Sequence, residues 1–121
     1  MITKKFGTPL VSFSDKVLLL ALRIPPGRVT TYGALARAAG AGPLASQSIT
    51  TILGKAWQRG EKHIPFHRIV YAGGRVWMDA THRKERLMLY RREHIVLDDH
   101  DRIVNFEEVV LDPDELRALP C

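Results

Sequence analysis

The sequence has 121 residues, 45% of them apolar and 26% charged, with Gly at 9 and Pro at 7. That is one domain's worth of chain with ordinary globular composition, which excludes disordered, collagenous, repeat and multi-domain readings. Lys and Arg number 18 against 13 acids, giving a net charge of +5 and a pI near 9.7, a balance that favours a polyanion as partner.

In chain order, Ser14 is a suitable N-cap for a first helix over Asp15 to Ile24, which Pro25-Pro26-Gly27 stops. After the β-prone stretch Arg28 to Thr30, Thr31 can cap a second helix, Tyr32 to Ala39, with Gly40 just past its end. The turn Gly40-Ala41-Gly42 leads to Pro43, which suits the first turn of a third helix. There Ala45, Ile49, Ile52, Leu53 and Ala56 form one apolar stripe and leave Ser46, Gln47, Thr50, Thr51 and Lys55 on other faces. Two short helices around a glycine turn, the second with a small polar face, describe a helix-turn-helix, although an ordinary αα-corner has the same signature.

Arg68 to Tyr71 and Arg75 to Trp77 read as a hairpin around Ala72-Gly73-Gly74. Thr81 to Glu93 reads as an Arg-rich helix with Leu87, Met88 and the following Ile95 inward. Ile95 to Leu97 and Arg102 to Val104 flank Asp98-Asp99-His100-Asp101 as a wing-like hairpin. Asp112-Pro113-Asp114-Glu115 then opens a final short helix. The expected fold is mainly α with small β hairpins, a winged helix-turn-helix-like DNA-binding domain formed by 1–121 as a single unit.

The charge is uneven. Residues 1–53 carry +5 and 54–94 carry +6, whereas 95–121 carry −6 through Asp98, Asp99, Asp101, Glu107, Glu108, Asp112, Asp114 and Glu115. A polyanion should meet the first three quarters, with Lys55, Arg59 and Lys62 on phosphate, while the acidic segment either docks a basic partner or confers solubility. The single cysteine, Cys121, allows no intramolecular disulfide and no cysteine-based metal cage. This fits a reducing, cytoplasmic location, nucleoid-associated in a bacterium or nuclear in a eukaryote. The longest apolar run, Val17 to Leu22, has six residues, where a membrane span needs about 20. No signal-peptide layout is seen either, so a soluble protein without membrane contact is expected. His63, His67, His82, His94 and His100 lack HExxH-type pairing, so no metal and no other cofactor is expected.

The segment Ile64-Pro65-Phe66-His67-Arg68-Ile69-Val70, with Ile24-Pro25-Pro26-Gly27-Arg28-Val29-Thr30-Thr31-Tyr32-Gly33 upstream, resembles the DNA-binding domain of the alkyltransferases that repair guanine alkylated on its exocyclic oxygen. The similarity runs from Phe13 to about Val104 and includes Lys84-Glu85-Arg86-Leu87. In that family the segment reads Pro-Cys-His-Arg-Val, and the cysteine accepts the alkyl group. Here Phe66 stands in its place, and a phenyl ring cannot replace the required thiolate. Glu93 falls near the family's acid that orients the histidine. The sequence therefore looks like the alkyltransferase-like proteins, in which an aromatic residue replaces the cysteine.

That resemblance implies a non-enzymatic protein with no catalytic residue. It would bind alkylated double-stranded DNA in the minor groove through Thr31, Tyr32, Ser46, Gln47, Ser48, Thr51 and Lys55. A rotated base would enter a pocket of Tyr32, Phe66, His67, Arg68, Trp77, Met78 and Asp79, at an unstacking cost of a few kcal/mol. It further implies a monomer that passes the damage to a nucleotide excision repair protein. The family pattern Pro-x-Ala-x-Arg-Ala-Val-Gly aligns with Pro43 to Thr50, so Gln47 takes the place of the arginine that fills the flipped base's gap and Thr50 that of a glycine close to DNA. About two extra residues fall in Trp57 to His63, a hinge loop of the family. Gln47 and Thr50 keep open a winged-helix binding or regulatory module without lesion recognition. Phe66 and Trp77 taken alone could be core residues, and an enzyme using Cys121 would lack the surroundings that lower a thiol's pKa.

Overall fold

The computed structural model describes residues 12–40 and 43–120. Its centre is a sheet of three short strands, β1 (Val29–Thr31), β2 (Ile69–Val70) and β3 (Val110–Leu111), in the order β2-β1-β3. Both pairings are parallel, with Thr30 opposite Ile69 and Leu111, Thr31 opposite Val70 and Val29 opposite Val110. Side chains alternate across a strand, so the sheet serves two apolar clusters: Ile69 and Leu111 join one, Val29 and Val70 the other. Thr30 is fully buried and donates its hydroxyl to the Leu111 carbonyl at 2.8 Å, which satisfies the polar group at the middle of the sheet.

The first cluster is built by α1 (Phe13–Leu22), α2 (Tyr32–Ala38), α3 (Ile49–Gln58) and α6 (Pro113–Ala118), through Val17, Leu35, Ile49, Leu53 and Leu116 among others. The second gathers Val76, Tyr90, Ile95, Ile103 and Val109 beneath α4 (Arg83–Arg92) and α5 (Phe106–Val109). Thr31 caps α2 as expected, its hydroxyl oxygen accepting from the Ala34 N–H at 3.0 Å, and Gly40 follows with φ +96°. Pro43 opens a 3₁₀ turn, Pro43–Ser48, before α3 begins at Ile49. Ile49, Leu53 and Ala56 of the expected stripe are buried and Ile52 is half-buried. Ala41, Gly42 and the Ala45 side chain lie outside the described residues, as does Cys121. Asp112 caps α6 in a reciprocal capping box with Glu115.

Four local expectations are corrected. Ser12, rather than Ser14, caps α1 through the Asp15 N–H, so that helix starts and ends two residues early. Arg68 to Tyr71 meets Arg75 to Trp77 only at the turn, where the Tyr71 N–H donates to the Arg75 carbonyl and the Gly74 N–H to the Tyr71 carbonyl, and no strand ladder follows. Ile69 and Val70 pair with β1, which buries both, while Gly74 to Val76 bonds to the wing through Val76 N–H to Asp101 O and Ile103 N–H to Gly74 O. Within α4, Tyr90 turns inward at 1% exposure while Met88 is 47% exposed. The helix itself covers Arg83–Arg92, inside the expected Thr81 to Glu93. The wing forms as expected, with Leu97 bridged to Ile103 and the Asp98 carboxylate accepting from the N–H groups of His100 and Arg102.

One carboxylate ties these parts together. Glu93, just past α4 and 7% exposed at its side chain, accepts from Arg68 Nη2 at 2.7 Å, from His67 Nε2 at 2.7 Å and from the Gly27 N–H at 3.0 Å. Arg68 Nη1 donates in turn to the Ile24 carbonyl at 2.9 Å. The end of α1, the turn into β1, the turn before β2 and the end of α4 therefore meet at one ion pair. Burial alone would raise the Glu93 carboxyl, but the Arg68, His67 and Gly27 donors outweigh it and hold it at about 2. Burial likewise lowers His67, against the opposing pull of Glu93.

Both shifts make the folded state poorer in protons than the unfolded chain. Stability is complete above the ordinary histidine range and declines as pH falls, with the Glu93 share lost between the ordinary 4.5 and about 2. Urea titrations from pH 7 to pH 2.5 should show this slope. Glu93→Gln should flatten its acid end and cost about 2 kcal/mol at pH 7. Gly74 provides a second test. Its φ is +93°, and a Cβ there would meet Phe106 Cγ at 2.8 Å, so Gly74→Ala should cost about 2 kcal/mol in the same assay.

Candidate functional site

The polar side of the helix-turn-helix is open. Gln47, Thr50, Thr51 and Lys55 are exposed and Ser46 and Ser48 half-exposed. Thr31 is occupied at its oxygen by the α2 cap. Tyr32 begins α2 directly after β1, and the pairing of Thr31 with Val70 brings Tyr32 beside Tyr71, with ring centroids 5.6 Å apart. Burial, then Tyr71, raises the Tyr32 hydroxyl above its ordinary value, against Arg86 and a hydrogen bond with Thr50. It is therefore a protonated phenol at neutral pH.

Phe66 opens the 3₁₀ turn Phe66–Arg68 and is half-buried, with Trp57 edge-on at 5.8 Å. Its backbone is fixed by its neighbours. Tyr90, buried and pushed up to about 12, donates its hydroxyl to the His67 carbonyl at 2.6 Å, and the Glu93 pair holds the His67 and Arg68 side chains. With His67 neutral, Nε2 carries the proton donated to Glu93.

Two concavities meet at Phe66. One, of about 540 Å³, opens on the helix-turn-helix face and is lined by Tyr32, Ser46, Gln47, Thr50, Tyr71 and the shared residues Phe66, Trp77 and Arg86. The other, of about 800 Å³, lies between α3 and α4, where Trp57, Lys62, His63, His82 and Leu89 join the same three. Trp77 is held against α4, its ring 5.6 Å from His82 and 5.0 Å from the Arg86 guanidinium. Lys62 lies 4.3 Å over the Trp57 ring and donates to the Trp57 carbonyl at 3.0 Å. The walls are thus aromatic planes edged with cations and hydroxyls, suited to a flat heteroaromatic ring with polar edges.

Of the expected residues, Tyr32, Ser46, Gln47, Phe66, His67, Arg68 and Trp77 line one or other concavity. Thr31, Ser48, Thr51 and Lys55 do not, nor do Met78 and Asp79. Met78 packs on the second apolar cluster, and Asp79 accepts from the His82 N–H and ring Nδ1 ahead of α4. Sequence reasoning missed Tyr71 and Arg86. Tyr71 is placed by a parallel pairing with no local signature, while Arg86 lies one helical turn beyond His82 in a run of cations. No thiol lines either concavity, and no group of His, Cys, Asp or Glu that could hold a metal ion occurs among the described residues. Nor is any helix there long and apolar enough to cross a membrane.

The model of the 6-O-methylguanine DNA methyltransferase DNA-binding domain matches residues 12–95. No curated protein matches the chain. Among solved structures, S. pombe Atl1 in complex with damaged DNA containing O6-carboxymethylguanine is similar at 22% identity and a TM-score of 0.65, over 88% of this chain and 100% of that one. The agreement in fold includes the helix-turn-helix. The chain belongs to the family of the 6-O-methylguanine DNA methyltransferase DNA-binding domain, and its fold is that of an alkyltransferase-like protein.

Proposed function

We propose that this protein binds double-stranded DNA containing O6-alkylated guanine and does not change it chemically. The observation that carries the reading is Phe66, an aromatic ring with no nucleophilic atom, held between two concavities by the Glu93 and Tyr90 contacts. A base rotated out of the duplex enters from the helix-turn-helix side, lies against Phe66 and Trp77, and extends its O6 substituent toward the larger concavity. Stacking at about 1–3 kcal/mol per base recovers part of the unstacking cost. S. pombe Atl1, seen with O6-carboxymethylguanine DNA, supports this choice of ligand. Since nothing here removes the alkyl group, the bound complex acts as a flag for nucleotide excision repair, formed by a monomer in the compartment that holds the DNA.

A second reading is favoured by Gln47. It is exposed at the mouth of the smaller concavity, and its neutral amide brings neither charge nor a guanidinium plane to the gap a flipped base leaves. The protein would then be a winged-helix DNA-binding module without damage preference.

Competition titrations at fixed salt, lesion duplex against its undamaged twin, separate the two readings because nonspecific charge contributes equally to both. The expected result is tighter binding of the lesion, with Phe66→Ala reducing that preference by about tenfold and leaving undamaged-duplex affinity unchanged. Equal binding of the two duplexes by the wild-type protein would sink the first reading. Gln47→Arg should tighten lesion binding and steepen its salt dependence by about one unit of log–log slope.

A further inference from the structure

We propose that Arg75, stacked on Tyr71 beside Tyr32, is a binding site for the DNA phosphodiester that adjoins the nucleotide entering the smaller concavity. The site deepens the damage-binding reading and rests on it. Three observations place it. The Thr31–Val70 pairing puts Tyr71, 37% exposed, next to Tyr32 on the wall of that concavity. The tight turn after β2, with Gly73 and Gly74 both at positive φ, then brings Arg75 back over Tyr71. The Tyr71 N–H donates to the Arg75 carbonyl at 2.9 Å, and the Arg75 guanidinium stands 5.2 Å from the Tyr71 ring centroid. Finally, Arg75 is exposed, and its guanidinium has no hydrogen bond or ion pair among the described residues.

The chemistry of a stacked arginine suits a phosphate. An arginine whose face is covered by an aromatic ring keeps its N–H donors at the edge, in the plane of the fork, and that fork matches two phosphate oxygens. The backbone of Arg75 is fixed by its antiparallel bridge to Arg102, so little ordering is required when the phosphate arrives. A cation held against Tyr71, a residue of the pocket wall, can hold the backbone in its rotated position, a task that the neutral Gln47 of the same concavity cannot perform.

The test uses lesion duplexes with every phosphate charged, or with one neutral methylphosphonate placed immediately 5′ or 3′ of the alkylated guanine. Arg75→Gln should weaken binding of the fully charged lesion duplex by roughly tenfold and lower the salt slope by about 1, with an unchanged melting temperature. On one of the two methylphosphonate duplexes the loss should vanish, because the partner is already gone. Arg91→Ala, an exposed cation beside a different groove, should show no such coupling. An equal loss on all three duplexes, or none on any, would overturn the phosphate site alone. Wild-type protein that binds lesion and undamaged duplexes equally would overturn the damage reading and this site with it.

Discussion

The fold turns on a buried carboxylate that has enough donors around it to stay ionised. Glu93 brings together chain segments 66 and 25 residues away, and two of its partners are committed again nearby: Arg68 to the Ile24 carbonyl, His67 to the turn that carries Phe66. A charge out of water is costly unless paired and hydrogen-bonded. Here the pairing also sets geometry, because the same bonds that satisfy Glu93 determine where the Phe66 turn sits relative to α4. Core packing on either side of the sheet supplies most of the stability, and the ion pair decides how the two clusters are joined.

That arrangement keeps a buried histidine–carboxylate pair beside Phe66. A histidine held by a carboxylate is the usual means of activating a nucleophile, and here that buried histidine stands next to a phenyl ring. Together with Arg68, it anchors the turn that carries Phe66 to Glu93. Tyr90 donates to the His67 carbonyl, which holds the backbone of the turn that carries Phe66. A preformed surface suits recognition by stacking, since less side-chain entropy is lost on binding.

Much of this was legible where local chemistry decides it. Thr31, Gly40 and the Asp112–Glu115 capping box act over three or four residues, and their residue types name their positions. Phe66 stood out against the motif around it. The parallel sheet was not legible, because β1 finds its partners about 40 and 80 residues away and each strand is only two or three residues long. Consequently Tyr71 and Arg75, placed by that pairing and the turn after it, escaped notice. The inward face of α4 was misread for a related reason: its run of Arg and Lys offers a weak apolar period, and Tyr90 was chosen over Met88 by the bond its hydroxyl makes. Ser12 and Ser14 are equal as caps by type, and only the helix's packing separates them.

The strand order β2-β1-β3 has a consequence for how the molecule is made. β1 lies in the middle, and its outer neighbour comes from residues 110–111, with Arg28 bonded to the Val109 carbonyl and Thr30 to the Leu111 carbonyl across 81 residues. During synthesis the helix-turn-helix and the Phe66 turn leave the ribosome well before that strand, and until it arrives the buried hydroxyl of Thr30 has no acceptor and one edge of β1 is bare. Contacts at such separation form late, since the intervening loop must first be ordered. The helix-turn-helix side of the sheet is therefore completed only by the acidic segment that carries β3, and the two acquire their structure together.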